Sequence, residues 1–146
     1  MTYSLDEKKV ILAVDDMPSS LIAIKNILEP LFDVRLVKEG EQALALLKRE
    51  KIALVLLDIE MPEYNGFELL QIMQSDPAIA PIPVIFVTTH ASPSFVRRAA
   101  TSGAKGYILK PFKPSLLLRK VLEQLNMDAP TAHQDNVYTF WSDEEM

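Results

Sequence analysis

Five times along this chain a short apolar run gives way to a stretch whose apolar residues recur every three or four positions. No other feature limits the fold so strongly. Val10 to Val14, Val34 to Val37, Ile52 to Leu57, Ile82 to Val87 and Tyr107 to Leu109 have the length and branching expected of strands. Helical spacing runs near Ser19 to Leu31, Glu41 to Glu50, Phe67 to Ser75, Pro93 to Ser102 and Pro114 to Asn126. Leu21, Ile24, Ile27, Leu28 and Leu31 form one core-facing stripe, and Leu117, Val121, Leu122 and Leu125 another. Three of the strand runs are continuously apolar, which a parallel sheet covered by helices on both faces requires. A strand followed by a helix, repeated five times, predicts a doubly wound α/β domain, and right-handed crossovers make 2-1-3-4-5 the expected strand order. At 146 residues and 49% apolar content there is material for one full core and no second domain. The apolar period stops near Met127, so residues 1–126 are expected to form the domain and 127–146 an acidic, aromatic-containing tail or linker.

In such a sheet the parallel strands end on one edge, where ligand sites collect. The first strand delivers Asp15 and Asp16 there, the third Asp58, the fourth Thr88 and the fifth Lys110. Three crowded carboxylates raise one another's pKa unless a cation neutralises them. Mg²⁺ fits, because it takes oxygen ligands and is usually held by one or two carboxylates with phosphate oxygens. On that reading Asp15 and Asp16 floor a metal site, and Asp58 is free to act as a nucleophile toward phosphorus. Lys110 and the Thr88 hydroxyl would hold the phosphoryl oxygens.

These residues, together with the run DIEMPEYNG from Asp58 to Gly66, the Gly103 to Tyr107 segment and Lys110, Pro111 and Phe112, resemble the CheY-like receiver domains of bacterial two-component response regulators, from about Val10 to Leu125. The resemblance implies a flavodoxin-like fold and phosphoryl transfer to Asp58 from a sensor histidine kinase or phosphotransfer protein. It also implies Mg²⁺ on Asp15 or Asp16, Asp58 and the Glu60 backbone carbonyl, with Lys110 paired to the phosphoryl group. Thr88 and Tyr107 become a switch pair, and the surface of the fourth helix, fifth strand and fifth helix the face read by an effector. A homodimer is left open, and a cis peptide before Pro111 is implied. Such a domain is a phosphoacceptor rather than an enzyme with turnover. The alternatives are a constitutive interaction module that has kept the fold, and a metal-dependent phosphatase. The phosphatase typically needs Asp-x-Asp, where this chain has Asp15, Asp16, Met17 and Pro18.

Other features exclude or complicate. Five of the 20 acidic residues follow Met127, where there is no Lys or Arg, leaving 15 acidic residues against 15 basic ones in the body. That balance lacks the basic excess of a nucleic-acid-binding module. No apolar run approaches the roughly 18 residues of a membrane span. The first ten residues carry Asp6 and Glu7 without an apolar core, unlike a secretory signal, so a cytoplasmic location is expected. There is no cysteine, hence no disulfide or thiolate chemistry. His90 and His133 have no partner at ligand spacing and read as surface residues. Glu60, two residues after Asp58, places a long anion beside the phosphoryl position, where like-charge repulsion is expected to alter phosphate lifetime or Mg²⁺ affinity. Lys113 opposes the dipole of the helix it precedes, and Val37 reads as a packing variant. Tyr138, Phe140 and Trp141 are unusually close together for a tail.

Overall fold

A computed structural model describes residues 8–128. Strands β1 (Val10–Val14), β2 (Asp33–Val37), β3 (Leu54–Leu57), β4 (Val84–Thr88) and β5 (Gly106–Leu109) alternate with helices α1 (Pro18–Leu28), α2 (Gly40–Arg49), α3 (Gly66–Gln74), α4 (Pro93–Ser102) and α5 (Pro114–Gln124). The strands form one parallel sheet in the order β2-β1-β3-β4-β5, as the alternation requires.

The apolar runs are continuous because each strand faces two cores. Leu12, Val14, Val55, Leu57 and Phe86 meet Ala43, Leu46 and Leu47 of α2, Phe67, Leu70 and Met73 of α3 and Ala99 of α4. Their sequence neighbours Ile11, Ala13, Leu54, Leu56, Ile85 and Val87 point the other way, onto Leu21, Ile24 and Leu28 of α1 and Leu117, Val121 and Leu122 of α5. Alternation along each strand therefore sorts one run into two layers.

Element ends differ from the periodicity where backbone chemistry intervenes. Helix α1 stops at Leu28 rather than Leu31, because Pro30 has no amide with which to extend the ladder; Leu31 N and Phe32 N both donate back to Leu28 O, at 3.0 and 2.9 Å. Strand β4 begins after Pro83, whose carbonyl accepts from Val55 N at 3.0 Å. Helix α5 ends at Gln124, with Asn126 at φ 56° and Met127 N donating to Leu122 O at 2.9 Å. That is a left-handed C-terminal cap of the Schellman type.

Candidate functional site

The carboxyl ends of β1, β3 and β4 and the start of the β5–α5 connection meet at one rim. Asp15 and Asp16 follow the end of β1, Asp15 buried and Asp16 exposed. Asp15 Oδ2 accepts from Lys110 Nζ at 2.7 Å, while its Oδ1 takes the Met17 amide at 2.9 Å. Lys110 Nζ also donates to Asp58 Oδ2 at 3.4 Å and to Ser20 Oγ at 3.1 Å. One lysine thus spans the carboxylates of β1 and β3. The Lys110–Pro111 peptide is cis, as the resemblance implied.

Oxygens of Asp15, Asp16 and Asp58 lie within 4.8 Å of one another. Burial raises the Asp58 pKa above its ordinary 3.8, and the Asp15 charge pushes the same way; Lys110 and hydrogen bonds from Thr88 and the Glu60 amide oppose them. Three carboxylates face one ammonium here, so the cluster keeps an excess of negative charge. A hard divalent ion suits such a donor set, with Asp15, Asp16, Asp58 and the Glu60 carbonyl as the residues that would hold it.

Gly66 shapes the loop beneath Asp58. Its amide donates to Ile59 O at 2.7 Å, and a Cβ there would lie 2.6 Å from the Asp58 carbonyl and 2.9 Å from Ile59 Cα. Helix α3 then starts from a capping box, in which Asn65 Oδ1 accepts from Glu68 N and Glu68 Oε1 from Asn65 N, both at 2.9 Å.

Residues 11–122 match the family described as response regulator receiver domain. The chain belongs to the receiver domain family of response regulators. This receiver is 32% identical over 130 residues to the chemotaxis protein CheY-3 of Vibrio cholerae, covering 86% of this chain and 100% of that one. It is 35% identical to a probable cyclic di-GMP phosphodiesterase of Vibrio cholerae over 76% of its own length, yet spans only 25% of that relative. A CheY-like response regulator receiver domain protein of Methanospirillum hungatei superposes with a TM-score of 0.74 at 34% identity, over 82% of this chain and 95% of that one.

One expectation is corrected by the geometry. His90 is not an unpartnered surface residue: its Nε2 sits 2.8 Å from Glu60 Oε2, and its ring stacks on Phe95 with centroids 4.3 Å apart. Through that contact Glu60 ties the β3–α3 loop to the β4–α4 loop. Among the switch candidates, Thr88 is fully buried and its Oγ1 accepts from His90 N at 3.4 Å. Tyr107 donates its hydroxyl to His90 O at 2.7 Å. Burial, and after it the Asp58 charge, raises the Tyr107 pKa above its ordinary 10.0, so the phenol stays a donor. Ser20, which gives no distinctive signal in the sequence, accepts from Lys110 Nζ at the rim. A polar residue at a helical position between Pro18 and the apolar Leu21 reads equally as a helix cap. Lys113 does occupy the N-cap of α5 with no side-chain cap, and Val37 packs at the edge of one core. His133, Tyr138, Phe140 and Trp141 lie outside the described residues.

Proposed function

We propose that Asp58 accepts a phosphoryl group from a sensor histidine kinase or phosphotransfer protein in a Mg²⁺-dependent reaction, and that the acyl phosphate switches an effector-binding surface on α4, β5 and α5. The observation that carries this is Lys110 Nζ held between Asp15 Oδ2 and Asp58 Oδ2, at 2.7 and 3.4 Å, inside a carboxylate cluster with more negative charge than it can neutralise. Bound Mg²⁺ would supply positive charge for the incoming phosphoryl oxygens. An Asp58 carboxylate oxygen attacks phosphorus, the bond from phosphorus to the donor's leaving atom breaks, and an aspartyl phosphate results. Lys110 exchanges part of its hold on Asp58 for a phosphoryl oxygen. Asp15, anchored by the Met17 amide, and Ser20 keep that ammonium in place.

The new group carries roughly -1.5 to -2 charge and three strong acceptors. Thr88, whose hydroxyl hydrogen-bonds Asp58, is a neutral donor placed to move toward it. That movement alters its contact with the His90 amide, in the same loop whose carbonyl holds Tyr107. Phosphorylation is thereby coupled to the face containing Tyr107 as a shift of population. We further propose that this switching unit ends near residue 126 and that whatever follows is not needed for phosphoryl acceptance.

Intact-protein mass after incubation with acetyl phosphate tests the reading. The native chain should gain one phosphoryl group with Mg²⁺ and none with chelator, and Asp58→Asn should gain none in either. An unmodified native chain would mean a constitutive interaction module instead.

A further inference from the structure

The even charge of the body is the sum of two opposite halves. Residues 1–76 hold 14 acidic and eight basic side chains, whereas residues 77–122 hold seven basic ones and not a single Asp or Glu. The second group is Arg97, Arg98, Lys105, Lys110, Lys113, Arg119 and Lys120, and all but Lys110 of the phosphoacceptor rim lie on or beside α4, β5 and α5. Between α4 and β5 lies an open groove of about 330 Å³, walled by Val96, Ala99, Ala100, Ala104 and Tyr107, with Lys105 at its margin. Val96 and, on β5, Leu109 are large apolar side chains left 40% and 43% exposed. Arg97 stands exposed next to Val96.

Topology decides what reaches this groove first. All five strands run toward the carboxylate rim and the helices run back, so the end of α4, the start of β5 and the end of α5 share the opposite edge. The chain leaves α5 there, at the same edge as Lys105 and Gly106. The 18 residues that follow Asp128 contain Asp135, Asp143, Glu144 and Glu145, no Lys or Arg, and Tyr138, Phe140 and Trp141 between those acids. The reach from Asp128 to Trp141 is about 40 Å when extended, longer than α4 itself at roughly 15 Å.

We propose that residues 129–146 dock on the α4–β5 face of their own chain, an aromatic side chain entering the groove and the flanking carboxylates meeting Lys105 and Arg97. Aromatic rings supply apolar area and the acids supply orientation, a pairing that a polar linker would not provide. Because Tyr107 lines the groove, the docked segment occupies the face at which an effector would read the domain. Only this consequence rests on the proposed switch. The docking itself does not.

Trp141 is the sole tryptophan of the chain, so its fluorescence reports on the segment without a label. In the unphosphorylated full chain we expect blue-shifted emission and protection from acrylamide, independent of protein concentration. Both should be lost, with quenching rising several-fold, in Arg97→Glu/Lys105→Glu and at about 1 M salt, where screening acts within about 3 Å. Combining that pair with Asp143→Lys, Glu144→Lys and Glu145→Lys should restore protection. Far-ultraviolet circular dichroism checks that the variants keep the fold. Emission of a fully solvated indole in the native chain, or protection indifferent to the charge reversals, would overturn the proposal. Protection that grows with protein concentration would do so too, by assigning the segment to a second copy. Loss of phosphoryl acceptance would leave these readings unchanged, so the two ideas fail separately.

Discussion

Asp58 is held where its charge is disfavoured. Its folded pKa is raised, by burial first and by Asp15 second, so between the ordinary 3.8 and the raised value the folded chain binds more protons than the unfolded one. Stability then falls as pH climbs through that window. Asp58→Asn removes the charge and keeps the shape. In chelator at pH 7 it should raise the unfolding free energy by about 0.5–2 kcal/mol, and the gain should disappear below pH 3.8; urea titrations at both pH values check it. Gly66 makes the opposite case, since a methyl group there meets the backbone of Asp58 and Ile59. Gly66→Ala should cost about 1–3 kcal/mol by overpacking, measured by the same titration, and should slow phosphoryl acceptance by displacing Asp58.

Among the helices, α3 and α5 show how the same fold can be started well or poorly. Asn65 and Glu68 cap α3 reciprocally, so Asn65→Ala should lose about 1 kcal/mol. At α5, Lys113 offers no side-chain acceptor and places a cation at the positive end of the helix. Lys113→Asp supplies both an acceptor and a favourable charge, and should add about 1 kcal/mol. Thermal unfolding of the two single variants, one shifted down and the other up, tests the pair. The aromatic contacts matter at this scale too. His90, Phe95, Phe67, Phe86 and Tyr107 follow one another with centroid separations of 4.3, 6.1, 5.1 and 6.3 Å, linking the loop above the acceptor to β5 through packed rings.

For the molecule as a whole, a ligand that binds only the folded state stabilises it by mass action, by about 2.7 kcal/mol at one hundred times its dissociation constant. Mg²⁺ titration should therefore raise the unfolding temperature of the native chain, chelator should reverse the rise, and Asp15→Asn/Asp58→Asn should abolish it. Ca²⁺, being larger and less exacting in geometry, makes the comparison that separates a shaped site from general screening. The sheet order, the two-sided core and the convergence of Asp15, Asp16, Asp58, Thr88 and Lys110 on one rim were all legible in the sequence. Each follows from local periodicity and from the rule that parallel strands end together, neither of which needs a side chain's direction to be known. The pairing of Glu60 with His90, the seat of Lys110 on Ser20 and the anchoring of Tyr107 on the His90 carbonyl were decided only by tertiary structure. These contacts join loops and strand ends far apart in the chain, where no repeating pattern orients side chains, and their partners are chosen by which atoms the packed sheet and helices bring within hydrogen-bond reach.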